Sequence, residues 1–125
     1  MKLGHKLGLG CMGLIVAVFV LVMVIAIRNK PTPAQQAAND EKSAGVTAAF
    51  VCQDAVRARL KAPAGADFLS PRRSEIVTLA PGRYQIGSYV DAPNSFGAKI
   101  RTGYICTAEK EGAGFRVMKL DIAGR

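Results

Sequence analysis

The chain has 125 residues, half of them hydrophobic, with no tryptophan, one histidine and a formal net charge of +8. That length leaves room for one small domain once an apolar N-terminal segment is set aside. The lone histidine, His5, lies beside that segment, so the rest of the chain has no imidazole for general base, nucleophile activation or metal binding.

The basic excess divides evenly. Lys2, Lys6, Arg28 and Lys30 flank the apolar run without an acid among them, and supply half of it. The remaining cations and acids leave a mildly basic domain, a balance that ordinary solubility already explains.

Leu7 to Ile27 carries no charge and shows no polar stripe. A helix of that length spans roughly 32 Å, which matches a hydrocarbon core of about 30 Å. A transmembrane helix over 7–27 is predicted, with residues 1–6 as a cytoplasmic N-terminus and the lipid bilayer as its partner. A cleaved signal peptide is the rival, with Val24-Ile25-Ala26 as its exit, but the run is long for one and Ile27-Arg28 makes a poor mature start. Lipidation of Cys11 is disfavoured, because no hydrophobic region precedes it.

Residues 28–45, RNKPTPAQQAANDEKSAG, are polar and alanine-rich and cannot bury a core. They read as a stalk, either flexible or helical; Thr32-Pro33 is a suitable helix start. From residue 46 the pattern changes. Val46, Ala49, Cys52, Val56 and Leu60 form one helical stripe, and Phe50 is expected to widen it. Arg57, Arg59 and Lys61 stand near the predicted helix end, and Pro63 stops continuation.

Four strands are predicted next: 74–80, closed by Pro81-Gly82; 83–91, with Tyr84, Ile86, Ser88 and Val90 on one face; 98–108, with Ile100, Thr102, Tyr104 and Cys106 on one face; and 115–122, after a turn at 111–114. Short connections imply antiparallel neighbours. The expected fold is α+β: the transmembrane helix, then one helix packed on a four-stranded antiparallel meander within residues 46–122, ending in a short tail at 123–125.

Cys52 and Cys106 fit neither zinc spacing nor a CxxC redox pattern. With Cys11 in the span they remain as a pair, on the apolar stripe of the helix and the apolar face of a strand. A disulfide between them would staple helix to sheet and place the domain in an oxidising space; two unpaired buried thiols are the alternative. N-terminus in and C-terminus out is the expected topology.

The stretches LKAPAGADF, YQIGSYVDAPNSFGAKIRTGYIC and FRVMKLDI resemble a recurring extracytoplasmic domain of small bacterial and prophage membrane proteins and lipoproteins. The resemblance covers roughly residues 46–122, most specifically at NSFG. It implies an anchored α+β module with a cysteine in the strand after NSFG, and it implies no activity or catalytic residues.

Few residues carry chemistry. No GxSxG, HExxH, P-loop or dinucleotide fingerprint occurs, and the acids are scattered, so neither an enzyme nor a cofactor is expected. In the segment APNSFG, Asp91 and Asn94 suit Asx turns, Pro93 fixes one φ, and Gly97 permits positive φ. Phe96 either folds back to plug the end of the core or stands out as an aromatic contact flanked by Lys99 and Arg101. Arg57, Lys61, Arg72 and Arg73 either terminate helices on a solvated face or form an anion-binding patch. The leading expectation is a non-enzymatic envelope interaction module with a protein partner. The alternative is an accessory module for an anionic polymer (cell wall, lipid headgroup or nucleic acid). Nucleic acid is disfavoured, since Tyr84 and Tyr104 are needed in the core.

Overall fold

The computed structural model describes residues 4–124, with side chains from residue 12 onward. Lys2, Arg125 and the side chains of His5, Lys6 and Cys11 lie outside the described residues. The chain divides into two compact units, with the boundary between Ala37 and Ala38.

The first unit contains helix α1, Gly4–Arg28. Its described apolar side chains, Met12 to Ile27, are 41–70% exposed on every side of the helix. Among the described residues no single helix is long and apolar enough to cross a membrane; Met12–Arg28 and Pro33–Arg57, taken together as a bent pair, meet the criterion by length and composition.

Helix α2 runs Pro33–Arg57, so most of the predicted stalk is helical. Its start is a capping box. The Gln35 amide N–H donates to Thr32 Oγ1 at 3.3 Å, and the Thr32 N–H donates back to Gln35 Oε1 at 3.0 Å. Two otherwise unpaired donors of the first turn are thereby satisfied, with Pro33 at a position that needs none. The helix ends at Arg57, short of Pro63; the backbone turns at once, with Arg59 N–H on Val56 O and Leu60 N–H on Arg57 O.

Within the second unit five strands form one antiparallel sheet: β1 Asp67–Phe68, β2 Glu75–Ala80, β3 Arg83–Pro93, β4 Lys99–Glu111 and β5 Gly114–Ile122. The last four are the expected meander. β1 is an addition, pairing with the far end of β3 through Asp67↔Asp91 and Phe68↔Val90. β3 is too long for β2 alone to cover, and β1 occupies what β2 leaves. The β3–β4 register runs without a break from Arg83↔Glu109 to Pro93↔Lys99. β5 pairs with β4 and carries a bulge at Met118.

The core lies between α2 and one face of the sheet. Ala48, Ala49, Cys52 and Val56 of the helix meet Tyr84, Ile86, Val90, Tyr104, Cys106, Ala108 and Ile122. The helix docks through small residues. A methyl group on Gly45 would lie 3.0 Å from Ile76 Cγ2, tighter than ordinary contact, so alanine there would require the Ile76 side chain to give by a few tenths of an ångström. Phe50 differs from expectation: it lies outside the helical phase of the buried positions 45, 48, 49, 52, 53 and 56 and points outward, 55% exposed, while Gln53 takes the buried place beside Cys52. Ile100, expected on the core face, is 50% exposed because it sits near the strand end beyond the packed core.

Candidate functional site

Cys52 and Cys106 form a disulfide with both residues fully buried. It joins the helix stripe to the centre of β4, opposite Ile86 on β3 and Leu120 on β5. The covalent link thus passes through the middle of a thin core.

The turn between β3 and β4 is built on one side chain. Asn94 Oδ1 accepts from the Phe96 N–H at 2.9 Å and the Ala98 N–H at 3.0 Å, while the Asn94 N–H donates to Ala98 O. Gly97 closes the turn at φ +83°, a conformation that other residues rarely adopt. Of the two expected Asx residues, Asn94 acts as one. Asp91 does not: it lies within β3 and binds Arg101 directly across the ladder, Oδ1 to Nε and Oδ2 to Nη2, both at 2.8 Å. Pro93 likewise belongs to β3 rather than to the turn.

This braced turn holds Phe96 away from the protein, 95% exposed. It does not plug the core. Its basic neighbours are both engaged. Lys99 pairs with Asp67 on β1. Arg101, besides gripping Asp91, lies over the Tyr89 ring with its guanidinium carbon 3.9 Å from the centroid. The Arg101 hydrogen bonds hold the Asp91 carboxyl below the usual carboxylate range, Lys99 adds to the effect, and Arg101 is correspondingly raised. The tip therefore offers an aromatic ring on a charge-balanced base.

Beside the turn runs a groove of about 480 Å³ whose apolar walls are Leu60, Ala92, Ile100 and Ile122, with Lys61 at its rim. A second groove, about 830 Å³, lies between α2 and β2 and is lined by Glu41, Lys42, Gly45, Arg72, Ile76 and Tyr84 among others. Lys61 and Arg72 thus open onto different grooves. Arg57 pairs with Asp54 at 2.8 Å and lies over the Phe68 ring at 4.8 Å; Arg73 ends a short 3-10 turn, exposed.

A polar group is also sealed inside. The Tyr104 hydroxyl is buried beside Ser88 and Gln53 without the geometry of a hydrogen bond to either. Gln53 spends its amide on Leu69 O, and Ser88 accepts from Ser74 Oγ at 3.0 Å. Burial raises the Tyr104 phenol above its ordinary value; Tyr84 is raised too, by burial and then by the charge of Glu41. Among the described residues no three His, Cys, Asp or Glu side chains gather as a metal centre requires.

No protein-family model, curated protein or solved structure matches this chain.

Proposed function

We propose that the chain is a membrane-anchored, non-enzymatic interaction module of the bacterial envelope. In this reading the apolar run at 7–27 holds the protein in the plasma membrane, with the N-terminus cytoplasmic and the disulfide-stapled α+β domain outside. The exposed aliphatic surface of α1, apolar on every side, supports the anchor: in water it would be a standing aggregation site. The buried cystine supports an oxidising location.

The observation that carries the interaction reading is Phe96. A large aromatic ring held in solvent by a turn whose conformation is fixed costs little further ordering when a partner covers it. A protein partner suits this tip better than a polyanion, because Lys99 and Arg101 are already neutralised by Asp67 and Asp91.

The test is a photoreactive phenylalanine analogue at position 96 of the full chain in its native membranes. One discrete adduct, absent when the probe sits at Thr107 on the sheet, is the expected result. No adduct at position 96 refutes the contact assignment, and release of the chain by alkaline carbonate refutes the anchor.

A further inference from the structure

The core-facing stripe of α2 is longer than the sheet beneath it. From Gly45 to Val56 the stripe is buried; one and two turns earlier it continues through Lys42, Glu41 and Ala38, which are all exposed. These residues form one wall of the larger groove, and Ser74, Ile76 and Thr78 of the β2 side form the other, with Tyr84 at the floor. Among the described residues β2 pairs only with β3, so its other backbone edge has no described strand beside it. The helix therefore overhangs the place where a sixth strand would lie.

The two edges of the sheet differ. β5, the far edge, carries Arg116, Lys119 and Asp121, is bent by the bulge at Met118, and has its Leu120 carbonyl occupied by Arg59 Nη1 at 3.3 Å. These are the devices by which proteins prevent strand addition. β2 has one charge, Glu75, followed by Ile76-Val77-Thr78-Leu79-Ala80. Lys42 and Arg72, both on the groove, have no ion-pair partner among the described residues, whereas Glu41 accepts from Thr78 Oγ1 at 3.0 Å.

We propose that this groove receives an extended segment of another polypeptide, which adds as a strand to the free edge of β2. An unpaired strand edge is satisfied by an extended backbone, and alternate side chains of an added strand point to one face of the sheet. Here that face is the space under α2, where apolar side chains would meet Ile76, Val46 and the Tyr84 ring. A carboxylate in the same segment would answer Lys42 and Arg72. The groove is separate from the Phe96 turn and shares none of its residues.

The experiment uses the full chain in detergent micelles and a display library of random dodecapeptides. Enriched peptides are expected to alternate apolar and polar positions and to include an acid. Amide shifts on binding should be confined to residues 38–46 and 72–80 and to Tyr84, which together line the groove and its free edge. Arg72→Glu should weaken an acidic winner roughly tenfold, and N-methylation of alternate peptide amides should abolish binding on one register. No enrichment, equal binding of both N-methylated registers, or shifts elsewhere overturns the proposal. So does concentration-dependent dimerisation with broadening of β2 amides before peptide is added, which would assign the edge to a second copy of this chain.

Discussion

Replacing Cys52 and Cys106 together by alanine should come close to unfolding the second unit. The cystine closes a loop with a sequence separation of 54. The entropy withheld from the unfolded chain by a loop of that length amounts to about 4 kcal/mol at 25 °C. A domain of this size is stable by about 4–12 kcal/mol in total, so the link supplies between a third and all of it. With a urea dependence of about 1–2 kcal/mol/M, the midpoint should fall by roughly 2–4 M, read by circular dichroism of the full chain in micelles. Alkylation supplies a second measurement. Both residues are fully buried, so a thiol reagent should label neither in native protein and should label both only after denaturation with reductant. An unchanged midpoint in the double variant, or ready labelling of Cys52 or Cys106 in native material without reductant, would refute the reasoning.

Tyr104→Phe removes a buried hydroxyl that lacks hydrogen-bond geometry to any described residue, so stability should stay level or rise by up to about 1 kcal/mol; a loss of about 2 kcal/mol in urea melts would mean the hydroxyl is satisfied. Asn94→Ala deletes two hydrogen bonds that brace the turn and should cost about 1 kcal/mol, whereas Phe96→Ala, at an exposed site, should change stability by less than about 0.5 kcal/mol. Asp91 has its folded pKa lowered, chiefly by hydrogen bonding to Arg101. Its stabilising contribution is therefore complete above the unfolded carboxyl value of about 3.9, fades as pH drops below that value, and is lost once pH has fallen through the lower folded value. Carboxyl carbon NMR should place the Asp91 midpoint below the ordinary value, and Arg101→Ala should bring it back up.

How far the sequence foretold this arrangement varies residue by residue. The four meander strands were legible because Tyr84, Ile86 and Val90 alternate, and Pro81-Gly82 and the segment at 111–114 are unambiguous turns. The cystine was legible from parity and from two stripes that had to face each other. β1 was not, since two residues cannot display a period. Phe50 misled because side-chain size argued for burial, whereas the helical phase set by the buried positions 45, 48, 49, 52, 53 and 56 turns position 50 to solvent. Asp91 misled because its type suits turns; only the register of the hairpin reveals Arg101 directly opposite, ten positions away in the chain. The larger groove left no trace in the sequence, since it depends on where α2 overruns the strands beneath it, a tertiary relation without a local signature.

The asymmetry of the sheet margins limits what the protein can build. Growth of a fibril by lateral stacking needs every molecule to offer both a donor and an acceptor border, so that each newcomer exposes a fresh one. Here the β5 border is blocked by charge, by its kink and by the Arg59 guanidinium. Two copies joined β2 to β2 would leave only β5 borders facing outward: such a union closes at a single step, and a crowded population of these chains has no route by that border to an open-ended polymer.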